Sequence, residues 1–389
     1  MKGFKVELIE NILPFWMKNM VDYESGGCYG RIDGYNQLQK ESSKGAVMHC
    51  RILWTFSAAY RVIRDERYLI MANRTYEYIT SYFIDEEFGG VYWSLDHKGN
   101  PLKTNKQLYA QGFALYAFSE YYRATQDPVA LDKAIEFFHL IEKCKDQQRQ
   151  GYYEAFNRDW QPIEDMRLSE KDENLSKTMN THLHILESYI NLRRIWPDKR
   201  LINAQKELVE VFVTKIYNSV KKHLNLFFND EWDPSSSAIS YGHDIEAVWL
   251  LREAAEVLND SNLQDKVKEV ILHLGDATLQ GLQSDGSLAY ELKNGHWDLE
   301  RHWWVQAEAV VGFRYLYDIS KNPFYLRAAQ VAWKYIQQNL IDKENGEWFW
   351  SRLSDGSINH KEDKAGFWKC PYHNSRMCLE MIENFNYSN

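Results

Sequence analysis

Four histidines stand on segments whose pattern predicts helices facing a shared interior, each beside a residue able to work with it. In KTMNTHLHILES, Asn180 and His184 are four apart and share one helix face, whereas His182 points away from His184. In SYGHDIEAVWLL, His243 opens a helix and Glu246 follows at i+3 on the same side. A histidine beside a carboxylate is held in one tautomer and made a better base. In RHWWVQAEAVVGF, Trp304 and Glu308 are i,i+4 partners, and Trp303 faces elsewhere, toward the core. FWKCPYHNSRMCLE crowds Trp368, Cys370, His373 and Arg376 into a tight turn around Pro371 before the last helix. Near the start, HCRILW places Arg51 and Trp54 at i+3, where Arg51 reads as a snorkelling surface residue or as an anion-binding group. Each histidine taken alone reads as readily as a satisfied core residue. Taken together, histidines with tryptophans, an arginine and two carboxylates suit proton transfer on a neutral, hydroxyl-rich ligand. Sugars stack C–H faces on indole rings and need carboxylates and amides to orient their hydroxyls.

Other chemistries lack their motifs. No GxGxxG follows a strand and no GxxxxGK[ST] is present, so neither a bound dinucleotide nor a nucleoside triphosphate is supported. GxSxG and HExxH are missing too. The net charge of −9 speaks against nucleic acid or an anionic membrane as partner. Glu7 and Glu10 interrupt the apolar pattern of the N-terminal segment, so it does not read as a secretory signal. No apolar run approaches the ~18 residues of a membrane span. Five cysteines, an odd number without CxxC spacing, read as reduced structural thiols of a cytoplasmic protein.

The elements that must position these residues repeat. Glycine-and-aromatic segments start at Gly26, Gly89, Gly151, Leu224, Gly286 and Gly346, at intervals of 63, 62, 73, 62 and 60 residues. Between them helical periodicity predicts two helices per repeat, near 3–20, 45–64, 67–84, 106–124, 128–144, 180–195, 200–218, 243–258, 262–281, 303–319, 323–341 and 374–385. Only 8 prolines in 389 residues suit long helices, because proline breaks them. An open solenoid would need polar capping repeats at its ends. The last repeat is instead strongly aromatic, so closure is expected: an all-α (α/α)6 barrel spanning 1–389 as one domain, with short β-hairpins in the loops at one end. Two packed helical domains are the alternative. The long fourth interval contains the charged run 157–177, which reads as a lid or as a plain surface loop.

NILPFW, HCRILW, SKTMNTHLHILESY, SYGHDIEAVWLL, WWVQAEAVVGF and WKCPYHNSRMCLE together closely resemble the cellobiose 2-epimerases, within the acylglucosamine 2-epimerase superfamily. The resemblance runs through the whole chain, with HCRILW departing from a commoner SRILW form. It implies an (α/α)6 barrel without cofactor or metal that inverts C2 of a reducing-end sugar in cellobiose, lactose or β-mannosyl-glucose. Carried over, His243 and His373 are the acid/base pair, Arg51 steadies an enediolate and Glu246 supports His243. His184, Asn180 and Tyr109 position the opened sugar with help from Glu308, and Trp304 and Trp368 stack on its rings. The expected partner is a disaccharide, and the chain is expected to act as a monomer.

Rival readings stay open at this point. Mannose isomerase and N-acylglucosamine 2-epimerase activities belong to the same superfamily. An inverting glycoside hydrolase would use Glu246 and Glu308, about 6.5–9.5 Å apart. A metal enzyme would use His182, His184 and His243, and a carbohydrate-binding module the tryptophans alone.

Overall fold

The computed structural model describes residues 1–387 and sets twelve helices in two concentric rings. The outer ring is α1 (4–19), α3 (66–83), α5 (Pro128–Lys143), α7 (199–216), α9 (261–281) and α11 (323–340). The inner ring is α2 (Ala46–Ile63), α4 (Leu108–Thr125), α6 (Met179–Arg193), α8 (Tyr241–Leu258), α10 (Trp303–Ser320) and α12 (Tyr372–Glu383). Each inner helix packs on the next, and α12 packs on both α10 and α2, so the ring closes as an (α/α)6 barrel. Inner helices such as α4 are buried on nearly every side, which is why their sequences are apolar all round. Outer helices bury one stripe and show water the other.

Local chemistry explains the repeat. Four inner helices end on a left-handed residue, at Arg64, Gln126, Asn259 and Lys321. The next residue, Asp65, Asp127, Asp260 or Asn322, then caps the outer helix by accepting a backbone N–H from its first turn. Asp198 caps α7 in the same manner. Pro128 and Pro323 occupy helix starts, where no N–H is needed. Pro14 lies within α1, and the π-type turn over Glu7–Ile12 makes room for its ring.

Short antiparallel strands join the repeats at the N-terminal end of the inner ring. Lys44–Gly45 pairs with Ser94–Leu95, Lys106–Gln107 with Ala155–Phe156 and Lys177–Thr178 with Phe227–Phe228. Ile239–Ser240 pairs with the strand Glu291–Lys293 and Arg301–His302 with Ser351–Arg352, while an Ile32–Ala365 bridge closes the circle. Two devices pin these links. The fourth residue of five inner helices (His49, Gln111, His182, Asp244, Gln306) accepts a hairpin N–H, from Cys28, Val91, Tyr152, Leu224 and Leu288. Buried ion pairs Lys44–Asp22, Lys106–Asp85, Lys177–Asp146 and Lys364–Asp342, 2.5–2.8 Å long, tie a residue before the inner helix to a glycine-rich turn. Each aspartate also accepts N–H groups of its own turn.

The structure corrects two boundaries. The last helix begins at Tyr372, capped by Pro371 with its φ of −76°, so His373 and Arg376 lie on the helix and not in a preceding turn. His243 is the third residue of α8 and does not open it. Among the described residues no helix is long and apolar enough to cross a membrane.

Removing one partner of a buried pair strands the other charge, at a cost of about 3–5 kcal/mol. Lys177→Met is therefore expected to lower the urea midpoint strongly, and a further Asp146→Leu change to recover part of the loss. An unchanged midpoint in the single variant would show that the pair contributes nothing.

Candidate active site

On an α-helix the residues i and i+4 share a face, and here the second and sixth residues of the inner helices face the barrel axis. Second positions supply Tyr109, Asn180, Trp304 and His373, and sixth positions supply Arg51, His184, Glu246 and Glu308. Nine of the ten expected residues, these and His243 and Trp368 but without Glu308, line one cavity of about 550 Å³ at the hairpin end. Glu308 lies directly behind His373. Hairpin aromatics Tyr290 and Trp350 complete the wall, and Trp93 packs behind Trp368 at 5.8 Å between ring centroids. Residues 168–172 of the long charged run form another wall. A side chamber of about 390 Å³ shares Asn180, His243 and Tyr290 with the cavity and continues under that run.

Gly242, at the second position of α8, has no side chain for a reason: a Cβ there would lie 2.5 Å from the Trp304 ring. The indole thus lies against α8, and both His243, at 4.8 Å, and His373, at 5.5 Å between ring centroids, pack on it. His243 holds Ser240 Oγ through Nδ1 at 2.7 Å, and His373 holds Glu308 Oε1 through Nδ1 at 2.8 Å. His184 holds Glu187 Oε2 at 2.9 Å. Each ring keeps Nε2 free. Burial is the largest influence on all three and lowers their pKa values, that of His243 to about 3, so they rest as neutral bases.

Beneath the cavity lies Arg376. Its Nη2 donates to Glu246 Oε1 and Glu308 Oε1, each at 2.6 Å, and its Nη1 to Glu187. Trp249 Nε1 donates to the other oxygen of Glu308 at 2.9 Å. Burial raises the Glu187 carboxyl, but Arg376 and the bonds from His184 and Tyr372 outweigh it and hold it at about 2. Arg51 donates to Tyr109 Oη at 2.7 Å and lies between the rings of Phe113 and Tyr372. It is buried, which removes the snorkelling alternative.

Some expected partnerships differ. Glu246 does not bond His243; its partner is Arg376, and the histidine nearest it is His373, at 3.9 Å. The i+3 spacing of His243 and Glu246 leaves them on neighbouring lines of the helix surface, and the guanidinium draws the carboxylate inward. His182 is a hairpin clamp with both ring nitrogens occupied, by Tyr152 N–H and Thr178 O. Trp303 is buried against Trp350 yet also borders the cavity, so it does not face wholly into the core. Glu246, Glu308 and His373 bring ligand atoms within 4.8 Å of one another, the geometry of a metal site. Arg376 Nη2 sits against both carboxylates and takes the position a cation would occupy. Sequence reasoning missed Glu187, Ser240 and the role of Arg376. The signal for Glu187 was present, since His184 and Glu187 repeat the His-x-x-Glu spacing of His243 and Glu246.

A family model for N-acylglucosamine 2-epimerase (GlcNAc 2-epimerase) matches residues 27–376. The cellobiose 2-epimerase of Bacteroides fragilis is 51% identical over 379 residues, covering 97% of each chain. That of Dictyoglomus turgidum is 40% identical, over 98% of this chain and 99% of its own. The solved structure of cellobiose 2-epimerase from Bacillus thermoamylovorans superposes with a TM-score of 0.95 at 43% identity, covering 98% of each chain.

Replacing Arg376 by Met would leave three buried carboxyl groups facing one another without a cation. Loss of one partner from a buried pair costs about 3–5 kcal/mol, so Arg376→Met is expected to unfold well below the wild-type temperature, as followed by circular dichroism. A wild-type melting temperature would mean that the guanidinium is not their counter-ion.

Proposed function

The chain belongs to the N-acylglucosamine 2-epimerase family, and from that premise we propose that it is a cofactor-independent isomerase of reducing-end disaccharides. It inverts C2 of the terminal glucose, turning cellobiose into 4-O-β-glucosyl-mannose and lactose into epilactose. One observation carries the reading: two neutral histidines, each with one nitrogen tied and one free, pack on the same indole and face one cavity. Epimerisation needs a base on one face of C2 and an acid on the other, and this pair supplies both.

The chemistry follows from the acidity of C2. Its proton is labile only when C1 is an aldehyde, so the sugar ring opens first. One histidine removes the proton, and a cis-enediolate forms. Arg51, itself buried, stabilises that charge more than it would in bulk solvent. The first histidine releases that proton to solvent, and the second, once protonated from solvent at its free Nε2, delivers a proton to the opposite face, so both rings end neutral. His373 is held in orientation by Glu308, and His243 by Ser240. His184, Asn180 and Tyr109 orient the opened chain, while Trp304 and Trp368 receive the sugar rings. Two such platforms in a cavity of about 550 Å³ favour a disaccharide over free mannose or N-acetylglucosamine. The whole chain serves as one catalytic domain and acts as a monomer. The five buried free cysteines suit a cytoplasmic setting.

The geometry weighs against hydrolysis. Glu246 and Glu308 accept from one nitrogen, their oxygens within 4.8 Å, whereas an inverting pair needs about 6.5–9.5 Å.

Cellobiose incubated with the enzyme in D2O is expected to gain deuterium at C2 and remain a disaccharide. Glucose as main product without exchange at C2 would overturn the reading. His243→Ala and His373→Ala are each expected to cut kcat by about 100-fold or more while circular dichroism stays native. A retained rate in both would remove them from the acid/base role, and a sugar-binding module would have no rate to lose. Because the bases are neutral well below the ordinary histidine value of 6.5, kcat/KM should hold level as pH falls through 6.5 and decline only lower. A midpoint at 6.5 or above would contradict the burial of these rings.

A further inference from the structure

Three carboxyl groups meet one guanidinium under the cavity, and their charges do not balance. Glu187, Glu246 and Glu308 all touch Arg376, and none is more than 2% exposed. Arg51, the other cation nearby, turns to Tyr109, Phe113 and Tyr372 and bonds none of them. With all three carboxyls ionised and the histidines neutral, the two guanidinium groups leave one negative charge buried. One proton would close the count.

The donors single out which carboxyl holds it. Glu187 receives Arg376, the Tyr372 hydroxyl and His184 Nδ1. Glu308 receives Arg376, Trp249 Nε1 and His373 Nδ1. Glu246 receives Arg376 on Oε1 only, and its Oε2 is buried with no hydrogen-bond partner. An ionised oxygen left without a donor in the interior bears its full desolvation cost, whereas the unpaired hydroxyl of a neutral acid bears a smaller one.

We infer that Glu246 is a carboxylic acid in the resting enzyme at neutral pH, its proton on Oε2, with Arg376 as the shared counter-ion that keeps Glu187 and Glu308 ionised. The groups facing Glu246 are Arg376 and His373 from α12, Glu308 from α10 and Glu187 from α6. Burial and the Glu308 charge push its pKa up to about 8, and the pull of Arg376 does not reverse them. The retained proton has a use. It lets His373 stay a neutral imidazole, with Nδ1–H given to Glu308 and Nε2 free to accept. It also leaves the cluster with no net charge before substrate arrives, so the enediolate meets no net negative charge beneath it. This charge state rests on geometry and does not depend on the epimerase reading, although it deepens it.

The test is an infrared difference spectrum at neutral pH between wild type and Glu246→Gln. The expected result is loss of one protonated-carboxyl C=O band, with the bands of other buried acids cancelling. A difference that instead shows carboxylate stretches overturns the inference. Should Glu246→Gln fail to fold, nitrogen NMR of histidine-labelled wild type decides. The signal assigned to His373 by its loss in His373→Asn is expected to be a neutral imidazole protonated at Nδ1. An imidazolium there would place the proton on the histidine and refute the assignment. Neither readout involves turnover, so failure here is distinct from failure of the exchange assay in D2O.

Discussion

One guanidinium holds the polar end of the inner ring together. Arg376 rises from α12 and meets carboxyl groups from α6, α8 and α10, so four of the six inner helices converge on a single side chain. Two of those carboxylates then grip His184 and His373. The orientation of two rings that face substrate is therefore set from below, by a group that does not itself line the cavity. Buried ion pairs contribute little net stability compared with apolar packing. What this one contributes is placement. An apolar residue at 376 could fill the volume but could not fix the tautomer of His373.

The rest of the barrel serves the same end by division of labour along each inner helix. Fourth positions bind the hairpins, second and sixth positions face the axis, and the strand just before the helix carries the lysine or arginine that anchors the turn. Function and scaffold thus occupy adjacent residues without competing. His182 and His184 show the separation most clearly. Two residues apart on α6, one spends both nitrogens on backbone groups and the other keeps one free.

Much of this was legible in the sequence. The period near 64 residues located the hairpins, helical periodicity located all twelve helices to within a few residues, and the spacing Asn180–His184 and Trp304–Glu308 identified axial faces. The aromatic excess found its explanation in hairpin residues such as Trp350 and Tyr290 that wall the cavity. What stayed hidden depended on contacts between distant segments. Nothing in the neighbourhood of Glu246 reveals that its partner lies 130 residues away on α12 rather than one turn back at His243. The start of α12 was misplaced because Pro371 reads as a breaker, although at a helix entrance it costs nothing. Glu187 escaped notice because one His-x-x-Glu spacing drew attention and its copy on α6 did not.

The closure of the ring has a consequence for how such a protein changes over time. Phe4 of α1 stacks on Trp333 of α11 at 4.4 Å, and Tyr387 lies beside Phe4, so the first and last described segments meet and the circle of helices has no privileged starting point. Every repeat offers the same two axial slots, and the slots hold Arg51 in one repeat, Tyr109 and Phe113 in another, Trp304 and Glu308 in a third. The anchoring residues sit elsewhere in each unit. A slot can therefore be rewritten in one repeat without replacing the residues that anchor the helices and hairpins. The barrel is in effect a rotary index of exchangeable side chains, and its catalytic identity is a setting of that index.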